Sequence, residues 1–309
     1  MHLGLGILVA LAASAVARFD WDAIDAVYAF GDSYSFVGGT RGRANFSFIG
    51  DALDVGFTPR ELLTNEIIPK NTSSSGSNWL EFLTGCFSGS PLRCRRQLWD
   101  FAFAGADIDD SLLPRHHDFT LSLTGQVAQY LAYAKGVIPR TKKERTMVAW
   151  WIGINDTGDT ISSNVTDFDA FWESEMELYF GAVQRIHDSN LASTHLFVNV
   201  PPGERSPSAL GNDTRIAVQK SRIAGFNTAL ARHVKQFQAR NKDANVLTFD
   251  AHEWFNFALD HASQLGFKNI TGFCECADPT FFWLNTGHPT EPVHRLLADA
   301  LEKQLRRTT

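Results

Sequence analysis

Four short blocks of this 309-residue chain carry groups able to act together on an acyl carbonyl. The first, Phe30-Gly31-Asp32-Ser33-Tyr34-Ser35, offers a serine hydroxyl on a tight turn that Gly31 permits. In the second, Ala102-Phe103-Ala104-Gly105-Ala106-Asp107, a glycine lets its backbone N–H approach a substrate oxygen closely. The third, Trp151-Ile152-Gly153-Ile154-Asn155-Asp156, adds the side-chain amide of Asn155, and the fourth, Trp283-Leu284-Asn285-Thr286-Gly287-His288-Pro289-Thr290, brings the imidazole of His288. A hydroxyl that attacks, an imidazole that takes and returns its proton, and N–H donors that hold a tetrahedral oxyanion are the requirements of acyl transfer. Each block alone has a bland reading; Gly-Asp-Ser is an ordinary turn or helix N-cap signal. Their order argues for chemistry, since each lies just past an expected strand or ahead of the last expected helix.

Those blocks need a frame that brings residues 33, 105, 155 and 288 to one edge. Runs rich in β-branched and aromatic residues at 26–30, 98–103, 146–152, 194–200 and 245–249 are nearly continuous apolar stretches, which predicts buried strands. Helical patterns follow at 171–188, 216–240 and 291–306. Strands alternating with helices predict an α/β fold with a parallel sheet covered on both faces, and ligands in such sheets sit beyond the carboxyl ends of the strands. Residues 38–77, rich in Gly, Asn, Ser and Thr, read as a long loop on that edge. There is no internal repeat, and 44% hydrophobic content over this length suits a single domain from residue 18 to 309.

The first seventeen residues, MHLGLGILVALAASAVA, lack acidic groups, hold an apolar run from Leu3 to Ala13 and end on a small-x-small site. They read as a secretory signal cut after Ala17, the apolar run being shorter than the roughly 20 residues of a spanning helix. Secretion agrees with the Asn-x-Ser/Thr sequons at Asn45, Asn71, Asn155, Asn164, Asn212 and Asn269. It also agrees with four cysteines, whose sequence-local pairing is Cys86 with Cys94 and Cys274 with Cys276. A net charge of -6 gives no general attraction to nucleic acid or anionic membranes, and the expected state is a monomer.

No metal or other cofactor is expected, because the cysteines and histidines lack zinc-ligand spacing, and His116 and His117 read as loop residues. Asp32, Asp107 and Asp156 read as caps or turn residues. His294, six residues after His288 and about 600° around a helix, should point elsewhere. Trp150, Trp151, Phe281, Phe282 and Trp283 read as core, with those at strand ends available to stack on a sugar.

Over nearly the whole mature length these blocks resemble the SGNH or GDSL hydrolase family. Within it the chain is most similar to fungal secreted acetyl esterases of carbohydrate esterase family 16, through the stretch Asp100-Phe-Ala-Phe-Ala-Gly-Ala-Asp107 and the stretch Phe282-Trp-Leu-Asn-Thr-Gly-His-Pro-Thr290. The resemblance implies a three-layer α/β/α sandwich with a central five-stranded parallel sheet. It implies Ser33 as nucleophile, His288 as base, and an oxyanion hole from the Ser33 and Gly105 N–H groups and Asn155. The activity implied is hydrolysis of short acyl esters, acetyl above all, on carbohydrates such as hemicellulose oligosaccharides. One position departs from the family: Asn285 stands where an Asp usually precedes the catalytic His by three residues. The expectation is a Ser33–His288 dyad supported by Asn285, with Asp278 and Glu291 as the carboxylates that could be recruited instead. Asn155 also opens a sequon, and a glycan there would plug the site. Other readings are a lipase or thioesterase with a longer acyl pocket, an esterase for an acetylated secondary metabolite, and a non-catalytic carbohydrate-binding protein.

Overall fold

The computed structural model describes residues 18–50 and 58–308; the expected leader, residues 1–17, and residues 51–57 of the expected loop lie outside the described residues. Five strands, β1 (Ala26–Gly31), β2 (Gln97–Asp100), β3 (Thr146–Trp151), β4 (Thr194–Val198) and β5 (Asn245–Phe249), form a parallel sheet in the order β2-β1-β3-β4-β5. β1 and β3 are buried at every position, which their unbroken apolar sequences anticipate. The chain steps from β1 to β2 on one side and then crosses back to β3 on the other. The strand order therefore reverses at β1, and a crevice opens beyond its carboxyl end.

The helices are α1 (Pro59–Leu63), α2 (Trp79–Thr84), α3 (Leu123–Gln129), α4 (Ile154–Asp159), α5 (Phe168–Asp188), α6 (Asp213–Arg240), α7 (Ala251–Asp260) and α8 (Glu291–Arg307). Right-handed crossovers put the β1-to-β2 connection on one face and the later ones on the other. Accordingly α2 packs on α8, while α5 packs on α3 and α6, giving the α/β/α sandwich. A small parallel pair, β6 (Asn269–Phe273) and β7 (Phe281–Trp283), leads into the segment that carries His288.

Where boundaries differ from expectation, polar side chains explain the shift. Asp167 accepts the Ala170 N–H (3.0 Å) and Asn212 the Arg215 N–H (2.9 Å), so α5 and α6 start three residues earlier than the apolar pattern suggests. β2 ends at Asp100, whose carboxyl turns back to the Val37 and Ala102 N–H groups, yet Phe101 and Phe103 still donate to the Ala29 and Gly31 carbonyls. The expected loop at 38–77 is less open than its composition suggests. Phe48, Ile49, Leu62 and Ile67 are buried, Asn65 ties the Arg41 N–H to the Phe48 carbonyl, and Thr58 with Glu61 caps α1. Both expected disulfides are present, Trp150, Trp151, Phe282 and Trp283 are buried, and no described helix is long and apolar enough to cross a membrane.

Candidate active site

The end of β1 is fixed from both sides before the serine is reached. The Gln126 side chain accepts the Gly31 N–H (3.0 Å) and donates to the Gly31 carbonyl (2.8 Å). A Cβ on Gly31 would stand 2.2 Å from the Trp151 carbonyl oxygen, so only glycine fits there. Beyond it, Asp32 accepts the Tyr34 N–H through its side chain (2.9 Å) and the Ser35 and Phe36 N–H groups through its carbonyl (3.0 Å each). Asn78 closes the turn by donating to the Ser35 and Phe36 carbonyls, while its oxygen caps α2. Ser33 emerges from this turn 8% exposed. The Asn78-x-x-Glu81 capping box was a readable sequence signal; Gln126, a glutamine inside a helix, left none.

His288 comes 255 residues later, and its Nε2 lies 2.8 Å from Ser33 Oγ. Asn285 sets the state of the ring. One side-chain atom of Asn285 meets the Gly287 N–H (3.0 Å), the His288 N–H (2.9 Å) and His288 Nδ1 (3.0 Å). Two backbone donors converge on that atom, so it is the amide oxygen, and Nδ1 must carry the imidazole proton. Nε2 is left with a lone pair facing the serine hydroxyl, which is the form a general base needs. The Tyr34 hydroxyl steadies the same loop by donating to the Gly287 carbonyl (2.5 Å), and its ring lies beside His288. Burial, unopposed by any carboxylate at the ring, pushes His288 down to about 4.

The two carboxylates held in reserve are committed elsewhere. Glu291 accepts the Ser77 N–H (3.0 Å), and exposed Asp278 accepts the Thr280 N–H and hydroxyl. His294 makes no bond to the Ser33–His288 pair, as expected, but it is buried with its ring beside that of Tyr34, close enough for the charge of His288 to act on it.

The two donor blocks are joined to each other and to β1. The Phe103 N–H bonds to the Gly31 carbonyl (3.0 Å), bringing the second block alongside the residues that lead into Ser33. Gly105 sits at φ +82 and Gly153 at φ +112, both left-handed positions; the Phe226 ring occupies the space where a Gly153 Cβ would go. Asn155, in the first turn of α4, donates one amide hydrogen to the Ala106 carbonyl (2.8 Å), leaving the second for a substrate oxygen. A glycan on this nitrogen would displace that bond.

Behind these loops lies a group of carboxyls. Asp32 is fully buried, and burial raises it to about 8. Burial first, and mutual repulsion next, also raises Asp107 and Glu175, and burial raises Asp156. The turn reading holds for Asp32, whereas Asp156 reaches 48 residues back to accept the Ile108 N–H (2.8 Å), tying two blocks together rather than capping its own helix. The reading also fails for Asp107, whose buried Oδ1 has no hydrogen-bond partner. His116 lies on a loop as expected, with Nε2 2.6 Å from Asp159 Oδ2. A groove runs along α6 past Asn199, Lys220 and His252 and includes neither Ser33 nor His288.

A family model described as GDSL-like Lipase/Acylhydrolase matches residues 27–301. An acetylesterase of Thermothelomyces thermophilus is 30% identical over 285 residues, spanning 88% of this chain and 85% of that protein. An extracellular lipase from Streptomyces rimosus overlays with a TM-score of 0.40 at 14% identity, covering 92% of this chain and 97% of that one. A gut microbial diltiazem-metabolizing enzyme overlays with a TM-score of 0.42 at 12% identity, covering 94% of this chain and 48% of that one. Both overlays are loose, and neither bears on the chemistry.

Proposed function

The chain belongs to the GDSL-like lipase/acylhydrolase family and is a carboxylic ester hydrolase; from that premise we propose a secreted serine esterase that removes short acyl groups, chiefly acetyl, from carbohydrate hydroxyls such as those of hemicellulose oligosaccharides. The observation that carries the mechanism is the 2.8 Å contact between His288 Nε2 and Ser33 Oγ, with Nδ1 held by Asn285. Ser33 Oγ attacks the ester carbonyl carbon as Nε2 takes its proton. The oxygen of the tetrahedral intermediate gains a negative charge, held by the Ser33 and Gly105 N–H groups and by Asn155 Nδ2. Collapse breaks the bond to the alcohol, which leaves with the proton from Nε2, and Ser33 keeps the acyl group. Water then attacks the acyl-enzyme, His288 acting again as base, and the free acid departs.

Asn285 orients the ring without charge. The imidazolium that forms in each step is therefore balanced by the oxyanion rather than by a buried carboxylate. The acetyl preference is supported by the acetylesterase relative, and secretion by the leader sequence, the sequons and the two disulfides. The test is hydrolysis of 4-nitrophenyl acetate, butyrate and octanoate by the protein, Ser33→Ala and His288→Ala, with acetate release from acetylated xylo-oligosaccharides measured alongside. The proposal expects acetate turnover that both variants lose. Preference for octanoate would make the protein a lipase, and oligosaccharide binding without Ser33-dependent turnover would make it a binding protein.

A further inference from the structure

Asp107, His116 and Asp159 each offer one ligand atom, and the three atoms lie within 4.8 Å of one another. An ion pair between His116 and Asp159 would account for two of them, but not for Asp107. That residue is 4% exposed, and its Oδ1 has no hydrogen-bond partner. An oxygen left in this state is destabilising unless something neutralises it. Its neighbours add to the problem, since Asp156, Asp159 and Asp32 all act on Asp107 with like charge.

We propose that Asp107, His116 and Asp159 form a divalent-cation site on the far side of the Gly105 turn. One imidazole nitrogen and two carboxylate oxygens suit Zn²⁺ or a similar borderline ion; Mg²⁺ and Ca²⁺ prefer oxygen throughout. Zn–ligand bonds of about 2.0–2.2 Å set donor atoms about 3.3–3.6 Å apart, so His116 Nε2 and Asp159 Oδ2, now 2.6 Å apart, must part while Asp107 closes in. Exposed His116 can supply that movement, and its open side leaves room for water as a fourth ligand. The ion displaces the proton that His116 and Asp159 share.

The cation would not touch the reacting atoms. Asp107 lies two residues past Gly105, Asp159 ends the helix that begins beside Asn155, and the His116 Cβ is 3.2 Å from where a Gly105 Cβ would stand. The three ligands thus come from the loops that present both proposed oxyanion donors, and the ion would clamp those loops together. That positioning role rests on the proposed esterase mechanism; the binding itself does not.

Protein dialysed against chelator and then against buffer is titrated with ZnCl₂ and with CoCl₂, following heat, bound metal by elemental analysis and the visible absorption of cobalt. One equivalent is expected, with affinity falling at least about 10-fold in His116→Ala and in Asp159→Asn. Asp107→Asn, which keeps the size of a buried side chain, should lose affinity to a similar degree. Ser33→Ala should bind metal as the parent does, so failure of the esterase reading leaves this result standing. Absence of binding at millimolar metal would overturn the site, and so would full retention of the equivalent in folded His116→Ala and Asp159→Asn.

Discussion

The Ser33–His288–Asn285 line and the carboxyl group behind Gly105 lie on the same side of the molecule and meet opposite electrostatic problems. Along the line, the ring nitrogens and the Asn285 oxygen all have partners, and no formal charge is needed to hold them. Behind Gly105, four carboxyls are buried together, and each of them, Asp107 through its Oδ1, has an oxygen with no hydrogen-bond partner. Burial acts on both with opposite sign, pushing His288 down and Asp32 up, because in each case it opposes the charged form. The contrast teaches that satisfied neutral bonds can fix the geometry proposed for catalysis, whereas a crowd of acids stays buried only by holding protons or a counter-ion.

The sharpest way to break this contrast is to remove a member of the line. At pH 7, His288→Ala should reduce kcat for 4-nitrophenyl acetate by about 10⁴-fold or more, as loss of an acid–base partner does in serine hydrolases. A loss under tenfold would mean that the contact with Ser33 is not used. Asn155→Ala should cost about 100 to 1000-fold in kcat with little change in KM, the mark of a donor felt in the transition state.

Replacing the neutral partner with a charged one sharpens the comparison further. The acid limb of kcat/KM should fall near pH 4 in the parent, following His288. In Asn285→Asp, a carboxylate beside Nδ1 favours imidazolium, and the limb should move up by about 1–3 pH units. An unmoved limb would show that His288 is not the group being titrated.

The smallest effect concerns stability and tests the sign on each side. His288 has a folded pKa depressed from 6.5 to about 4. Its contribution is present above 6.5 and lost as pH falls toward 4. Asp32 has a folded pKa raised from 3.8 to about 8. Its contribution is present below 3.8 and lost as pH rises through 8. Asp32→Asn should therefore flatten the decline of Tm between pH 5 and 8 while leaving the acid side unchanged, and an equally steep decline in the variant would remove Asp32 as its source.

Much of the line was legible because each of its members sits in a local pattern. Ser33 follows a recognisable strand, and His288 and Asn285 lie three residues apart before a helix. The choice of Asn285 over Glu291 was not legible, since Glu291 is drawn away by Ser77, 214 residues distant. The sheet could be read from five apolar runs, but Gln126 could not be assigned to the Gly31 backbone, because nothing local marks a contact spanning 95 residues. Asp107 looked like a turn residue for the same reason. Its neighbours His116 and Asp159 are assembled by packing, and its unpartnered Oδ1, a feature it shares with Oδ2 of buried Asp32 and Asp156, exists only in the folded state. The buried part of the 38–77 segment was obscured by composition, its few apolar anchors being scattered among polar residues.

The separation of 255 residues between Ser33 and His288 also sets a clock. A ribosome adding about 5–20 residues per second would take about 10–50 s to travel from one to the other. Throughout that interval the nascent chain carries the proposed nucleophile without its proposed base. The helix that follows His288 then docks its far end on the segment just before β1, through Arg306 to Asp22 and Glu302 to Trp21. On the proposed mechanism, a product that stops before His288 is thus chemically silent, and ester hydrolysis reports only on molecules extended past that residue.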